Sequence, residues 1–381
     1  MRIALFTDTF LPQVNGVART LGRWLEQARA RGHEVAVVAP RVPRADPSDA
    51  DLYIDPPSFP FPLYPELRVA APPGPWDTRR LRTFAPDLVH VATEFGIGWG
   101  GTAFADANTI PLVTSFHTDF PAYLAGYGLG GLERHAWEYL RSFHRRASVT
   151  YCPSRITLAQ LQRAGFHDRL RVWSRGVDAV HFTPRRRSDA TRAAIAPGAS
   201  RILLYVGRLA PEKRLDVLLD AFATVRRHME DVALVVVGHG PAADQLRRRA
   251  GDRVRFTGYL TGDALADAYA AADVFVFPSE TETFGNVVVE ALASGLAVVA
   301  ADSGGAAETV RNGGNGLLVP AGDADAFARA MLQLLADEPL RLALAGRARA
   351  DALRRNWDEI FDALFDDYQA LVESAAPARV A

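Results

Sequence analysis

Two carboxylates, Glu282 and Glu290, stand with seven residues between them in the stretch Pro278–Gly295, PSETETFGNVVVEALASG. An apolar run ending at Val274–Phe277 precedes it and reads as a buried strand, and the residues from Asn286 suit a helix. Free backbone N–H groups after a strand and the positive end of a helix dipole make an anion site. A carboxylate beside such a site needs a donor-rich partner, and a nucleotide sugar offers both phosphates and hydroxyls. A second cluster, Gly207–Arg208–Leu209–Ala210–Pro211–Glu212–Lys213–Arg214, also lies between a strand and a helix. Arg208 offers a planar fork and Lys213 a point charge, which together could hold a diphosphate without a metal. The same charges would also fit a solvated capping loop. Lys213 is the one lysine among 43 basic residues, so its compact charge reads as chosen.

Five weaker signals occupy similar strand-to-helix positions. Asn15–Gly16–Val17, within Leu11–Val17, leaves helix N–H groups free and lets a ligand approach the backbone. His117 lies in Ser115–Phe116–His117–Thr118–Asp119. Gly238–His239–Gly240 and Ser303–Gly304–Gly305 open further helices, and Gly258–Tyr259–Leu260 joins a backbone edge to an aromatic ring. The turn Leu11–Val17 after the first strand is not a GxGxxG fingerprint, and neither half carries a GxSxG elbow. Asp-x-Asp pairs occur at Asp49/Asp51 and Asp323/Asp325, the first in a proline-rich loop and the second at a helix cap, so metal-independent chemistry is expected.

The elements that must position these residues follow a strand–helix alternation. Strands are expected at Arg2–Thr7, Glu34–Ala39, Asp87–Val91, Pro111–Phe116, Ser148–Cys152 and Arg171–Trp173. Helices fit at Val17–Arg31, Ile97–Asn108, Leu132–Arg146 and Arg155–Ala164. Apolar strands with crossover helices mean a parallel sheet covered on both faces. Prolines at 43, 47, 56, 57, 60, 62, 65, 72, 73 and 75 make Arg41–Trp76 a long surface loop with room for a short hairpin. The segment Asp178–Ser200 carries Arg185–Arg186–Arg187 and reads as a solvated linker. From Arg201 a second α/β sheet begins. Its strands fall at Ile202–Val206, Ala233–Val237, Val254–Phe256, Asp273–Phe277, Ala297–Ala301 and Gly316–Val319. A last helix from Trp357 has no strand after it. The expected division is an N-terminal domain over 1–180, a second over 181–356, and a returning helix over 357–381. Sites in such sheets lie at the carboxyl ends of strands, so one interdomain cleft could hold every cluster.

Composition bounds the rest. A chain of 381 residues exceeds one ordinary core. Net charge −1 gives no bulk electrostatic case for nucleic acid. The single cysteine, Cys152, excludes an internal disulfide and sits in a strand as a small hydrophobe. The chain begins on a strand, with no room for a signal peptide, and no apolar run reaches the ~20 residues of a membrane span. A cytoplasmic protein is expected, with peripheral contact at the inner face of the cell membrane as an option.

Taken together, Asn15–Gly16–Val17, Ser115–Phe116–His117–Thr118, Arg175–Gly176–Val177–Asp178, Gly207–Arg208…Lys213 and Glu282-x7-Glu290 resemble family 4 glycosyltransferases. The N-terminal half resembles the branch of GDP-mannose-dependent α-mannosyltransferases and sulfoquinovosyl-diacylglycerol synthases. The resemblance implies the retaining GT-B architecture: two Rossmann-like doubly wound domains facing across a cleft, an acceptor-binding one and a donor-binding one, with the C-terminal helix crossing back to the first. It implies no cofactor beyond the nucleotide-sugar substrate. Arg208 and Lys213 would hold the diphosphate, and Gly16 and Gly238 would let backbone approach the donor. His117 would contact the hexose near the reacting carbon, and Glu282 its hydroxyls. The backbone of Thr283, Phe284, Gly285 and Asn286 would face sugar or phosphate. Glu290 would accept ribose hydroxyls, and the base would lie near Tyr259–Leu260. Asn15, Asp119 and Tyr123 fall on the acceptor side. Two positions depart from the pattern: Arg175 stands where asparagine is common, and Asp119 where the sulfoquinovosyl branch has asparagine.

The chemistry follows. An oxocarbenium-like transition state leaves charge developing on the diphosphate, where Arg208, Lys213 and helix N-termini would stabilise it. With Glu282 and Glu290 engaged in binding, same-face attack is expected, the leaving phosphate taking the acceptor's proton. The acceptor is a lipid or saccharide hydroxyl. Leu132–Arg146, with His135, Trp137, Tyr139, Phe143 and Arg134, Arg141, Arg145, Arg146, could rest on an anionic membrane or face the core. Alternatives are a UDP-sugar-dependent transferase, a nucleotide-sugar epimerase, and a non-catalytic nucleotide-sugar sensor. A phosphorylase would need a pyridoxal lysine, and Lys213 is already engaged.

Overall fold

Runs such as Val232–Val237, VALVVV, have no polar face to give to water. They can only be central strands of a sheet covered on both sides. A computed structural model of the chain, describing residues 1–13, 15–42, 50–61, 64–126 and 128–379, places them so. Val14, Asp49 and the prolines at 43, 47 and 62, named above, lie outside the described residues. The chain divides into two units: Met1–Thr118 with Arg134–Ser174 and Asp358–Ala381, and Asp119–Glu133 with Arg175–Trp357.

Unit 1 carries β1 (Arg2–Phe6), β2 (Glu34–Val38), β3 (Leu52–Ile54), a hairpin of β4 (Ser58–Phe61) and β5 (Tyr64–Ala70), β6 (Leu88–Val91), β7 (Leu112–Ser115), β8 (Val149–Cys152) and β9 (Leu170–Val172). Its parallel sheet runs β3-β2-β1-β6-β7-β8-β9. The proline-rich stretch is more ordered than its composition implies. β3 pairs parallel with β2, β4 with β5 antiparallel, and a helix spans Pro75–Phe84. Both strands of a two-stranded hairpin are edge strands, the setting that tolerates a proline such as Pro60. The first-position Pro75 likewise loses nothing, since that N–H is unsatisfied in any helix.

Unit 2 carries β10 (Arg201–Val206), β11 (Val232–Val237), β12 (Val254–Gly258), β13 (Val274–Phe277), β14 (Ala297–Ala301) and β15 (Gly316–Val319). The order β12-β11-β10-β13-β14-β15 is doubly wound, and the winding reverses between β10 and β13. The loops leaving those two strands, 207–214 and 278–285, therefore diverge at the crevice where ligands of open α/β sheets bind. The segment after Asp178 is not a solvated linker. Arg186 pairs with Asp263 and Asp267, both at 2.7 Å, and Arg187 with Asp273 at 2.7 Å. Those carboxylates lie on and just after the helix Gly262–Ala271, a partner set 80 residues away in sequence that local reading could not supply.

The helix Trp357–Arg379 supplies Asp358 onward to unit 1. Phe361 and Tyr368 are fully buried there, and the Tyr368 hydroxyl is hydrogen-bonded to His90 Nδ1 at 2.9 Å. Asp367 pairs with Arg171 at 2.7 Å. Among the described residues no helix is long and apolar enough to cross a membrane.

Candidate active site

At the end of β10 the backbone turns at Gly207 and enters a 3-10 turn, Pro211–Lys213, before the helix Leu215–His228. The Lys213 N–H donates to the Ala210 carbonyl at 3.0 Å, and Arg214 closes the turn in the left-handed region, φ 52°. The buried Tyr205 hydroxyl donates to the Arg208 carbonyl at 2.9 Å. This tyrosine, the penultimate residue of β10, fixes the loop that carries both predicted cations. Burial pulls the Arg208 guanidinium below its usual pKa, with Glu212 opposing.

Lys213 is 8% exposed. Its Nζ pairs with the Glu282 carboxylate and lies 5.8 Å from the centre of the Tyr123 ring. Burial works against its charge, but the charge and hydrogen bond of Glu282 outweigh it, and the Lys213 pKa rises. Next to this pair, Arg214 Nη1 donates to Glu280 Oε1 at 2.5 Å. Two ion pairs thus tie the loop after β10 to the loop after β13. Tyr123 reaches Lys213 because the short helix Phe120–Gly126 belongs to unit 2. Asp119 caps that helix, its carboxylate accepting the Ala122 N–H at 3.0 Å. Burial pushes the Tyr123 phenol up to about 12, Lys213 opposing, so the ring stays neutral beside the ammonium.

The loop after β13 is held from a third side. Gly305 N–H donates to the Glu282 carbonyl at 2.6 Å, and Ser303 Oγ to the Glu280 carbonyl at 2.8 Å. A Cβ on Gly305 would stand 2.4 Å from the Phe284 Cα, so the close approach of the two loops requires glycine. Thr283 is half-buried, Phe284 and Gly285 are buried, and Gly285, φ 85°, starts the helix Asn286–Ala293. One turn on, Glu290 is 9% exposed and its Oε2 accepts the Tyr269 hydroxyl at 2.9 Å. Gly238, φ 135°, brings the β11 loop against the Gly207 carbonyl, which a Cβ would reach at 1.9 Å. Tyr259 is 49% exposed with its ring 6.0 Å from that of His239, and Leu260 beside it is half-buried. Unit 2 therefore brings Arg208, Lys213, Gly238, Glu282, Thr283, Phe284, Gly285, Asn286 and Glu290 to one end of one sheet. The arrangement offers cations and helix N–H groups to an anion, and two carboxylates to hydroxyls.

Unit 1 carries the other predicted residues. His117 follows β7, half-buried, its ring 5.7 Å from that of Trp173. Asn15 caps the helix Gly16–Ala30: Oδ1 accepts the Ala18 N–H at 2.8 Å and Nδ2 donates to Thr9 at 2.8 Å. Gly16, the exposed first residue of that helix, accepts the Thr20 hydroxyl at its carbonyl. The helix Glu133–His144 turns two aromatics inward, Trp137 stacking on Phe116 and Phe143 packing on Trp99, while Tyr139 stays exposed. Asp323 caps the helix Ala324–Ala336, accepting the Ala326 N–H at 2.8 Å. Asp51 accepts the Val35 N–H. Among the described residues no three His, Cys, Asp or Glu side chains converge as metal ligands.

Tyr205 and Tyr269 are the site residues that motif reading missed. Each is a buried tyrosine among apolar neighbours, and only its hydroxyl's need for a partner marks it.

Comparison with known proteins places the chain in a family. Residues 14–181 match the model described as Glycosyltransferase Family 4, and residues 200–337 that described as Glycosyl transferases group 1. A GDP-mannose-dependent alpha-mannosyltransferase of Mycobacterium tuberculosis (strain CDC 1551 / Oshkosh) is 38% identical, over 97% of both chains. A sulfoquinovosyl transferase of Arabidopsis thaliana is 32% identical over 93% of this chain and 71% of its own. The structure of sucrose-phosphate synthase from Thermosynechococcus elongatus superposes with a TM-score of 0.80 at 23% identity, covering 98% of this chain and all of that one, so the fold is shared. The chain belongs to the family 4 glycosyltransferases, hexose-transferring enzymes of the GT-B fold.

Proposed function

We propose that the enzyme transfers mannose from GDP-mannose to a lipid or saccharide hydroxyl, with retention at the anomeric carbon. The observation that carries this is the convergence of Arg208, Lys213, Glu282 and Glu290 at the winding reversal of unit 2, in a chain similar over nearly its whole length to a GDP-mannose-dependent enzyme. Arg208 and Lys213 take the diphosphate, Glu282 the hexose hydroxyls, Glu290 the ribose hydroxyls, and the base rests near Tyr259–Leu260. Gly16 and His117 serve the hexose end; Asn15 and Asp119 shape the acceptor's surroundings. The C1–O bond to the phosphate breaks as the acceptor oxygen bonds to C1 on the same face, and the acceptor's proton passes to the departing phosphate. The charge that develops on that phosphate is met by Arg208 and Lys213, so no step requires a metal.

A thermal-shift panel of GDP-, UDP- and ADP-sugars, followed by product analysis, tests the reading. GDP-mannose is expected to stabilise most and to give an α-linked product. Stabilisation by a UDP-sugar alone would favour the class of the Arabidopsis relative instead. An inverted product would remove the same-face mechanism. For a lipid acceptor the enzyme works in peripheral contact with an anionic bilayer at the inner face of the cell membrane. Arg134, His135 and Arg145 are exposed on the helix Glu133–His144 and just past it, charge that suits such a surface. Flotation with anionic vesicles checks this, and failure to float favours a soluble saccharide acceptor.

A further inference from the structure

Lys213 and Glu282, each assigned above to a different part of the donor, are bonded to one another in the protein alone. Both are held by rigid surroundings. Lys213 is 8% exposed, packed by Tyr123 and anchored at its own N–H by the Ala210 carbonyl. Glu282 is anchored at its carbonyl by the Gly305 N–H at 2.6 Å. A Cβ on Gly304 would meet that same carbonyl at 2.5 Å, so the backbone there is closely fitted. Only the two side chains can part. Arg214 offers no substitute cation, because it is bonded to Glu280 at 2.5 Å.

Resting on the donor-site reading, we infer that the Lys213–Glu282 pair is a latch that expels the nucleoside diphosphate after the hexose has left. An intact nucleotide sugar compensates both ions when it splits them. Its phosphate takes Lys213 and its hexose hydroxyls take Glu282. The product left after transfer has the phosphate but no hexose. It keeps Lys213 from Glu282 and leaves the Glu282 carboxylate beside a phosphate with no donor in exchange. An uncompensated charge in a largely enclosed site is costly, and re-forming the pair removes it. Donor therefore binds against a small penalty and product against a large one. Lys213 is placed by packing with Tyr123 and by its turn, so removing Glu282's charge should free it for phosphate rather than disorder it.

Calorimetric titration with GDP and with UDP tests the latch in the full-length protein. Glu282→Gln is expected to bind the nucleoside diphosphate about tenfold tighter than the wild type, the low end of couplings between close charge pairs. Its affinity for the intact nucleotide sugar should change less, because the hexose loses a carboxylate acceptor. Glu280→Gln, which removes the same charge from the same loop but frees Arg214 rather than Lys213, should keep whatever effect it has in a Lys213→Gln background, as uncoupled changes do. In a Lys213→Gln background the gain from Glu282→Gln should vanish. Unchanged or weaker diphosphate binding by Glu282→Gln overturns the latch. So does an equal gain without Lys213, which would show general repulsion rather than pairing. Failure of GDP and UDP alike to bind either the wild type or Glu282→Gln would remove the donor-site reading and the latch with it. Binding with no effect of Glu282→Gln removes the latch alone. If circular dichroism shows Glu282→Gln misfolded, Glu282→Ala carries the same comparison.

Discussion

The tyrosines do the positioning at the scale of single residues. Tyr269 donates to Glu290 at 2.9 Å and its hydroxyl lies 3.2 Å from the Val287 carbonyl. Tyr269→Phe leaves a mostly buried carboxylate short of a donor, a loss of about 1–3 kcal/mol. Glu290 is assigned to the ribose, far from the reacting carbon. The expected outcome is therefore a donor KM raised about fivefold with kcat within about twofold, since a contact made equally in ground and transition states moves KM alone. Initial-rate kinetics checks this, and a collapse of kcat would place Glu290 nearer the chemistry. Arg208→Lys keeps the charge and loses the fork. It should lower kcat about 100-fold, the scale for one preorganised donor to a developing anion. Wild-type rate in excess EDTA should stay within about twofold if Arg208 and Lys213 carry the charge that a metal would otherwise carry. The cations and glycines were legible in the sequence because strand-to-helix turns are spelled locally. The Lys213–Glu282 bond, spanning 69 residues, and the Tyr123 ring beneath it were not, because only the sheet order brings them together.

Elements were legible where a single period ran long enough. The helices Gly16–Ala30 and Gly96–Asn108 and the strands of both parallel sheets other than β3 fall close to the expected spans. The pattern failed where turn chemistry hid short elements, as with β3 and the helix Phe120–Gly126. Asn15 shows how a motif residue can be structural as well. Asn15→Ala removes the cap of the helix Gly16–Ala30 and should cost about 1 kcal/mol, read as a lower urea midpoint. A second test sits at the end of a buried polar chain. Thr114 lies 2.9 Å from His144 Nδ1 and 2.8 Å from Thr150, which in turn lies 3.0 Å from His167 Nε2. The Arg169 N–H donates to His167 Nδ1, and Nε2 faces the His144 carbonyl at 3.0 Å, so the fold holds the neutral ring. Burial, then the Arg169 charge, lowers this pKa from 6.5. The unfolded chain thus takes the proton first on acidification. The contribution of His167 is complete above about pH 6.5 and is lost as pH falls through the lower folded value. Thermal melts between pH 7.5 and 5.5 should show a shallower decline for His167→Gln than for the wild type.

At the scale of the molecule, the orphan helix after Trp357 is what makes unit 1 a closed body. Its near strands lie inside the first 172 residues, yet its last apolar layer arrives from the far end of the chain. Phe361, Leu364, Phe365 and Tyr368 are each at most 5% exposed. At about 1.5–3 kcal/mol for each buried side chain, they contribute roughly 6–12 kcal/mol, comparable to the whole stability of a domain. The ion pairs on the same helix add little, since Arg171 and Asp367 are 48% and 34% exposed and Asp362 is 62% exposed. A chain ended before Asp358 should therefore lose unit 1 rather than merely loosen it, while unit 2 keeps its own sheet and core. Limited proteolysis with mass-spectrometric mapping separates the outcomes. Early cuts confined to residues 1–118 and 134–174, with 175–357 protected, are expected. Uniform protection of the truncated chain would mean that the helix is an accessory. Tyr368→Phe, which keeps the ring and loses the hydroxyl's bond to His90, should then melt within a few degrees of the wild type, because one net hydrogen bond is worth about 1 kcal/mol. The contrast between the two variants assigns the stabilisation to apolar burial and not to the hydrogen bond.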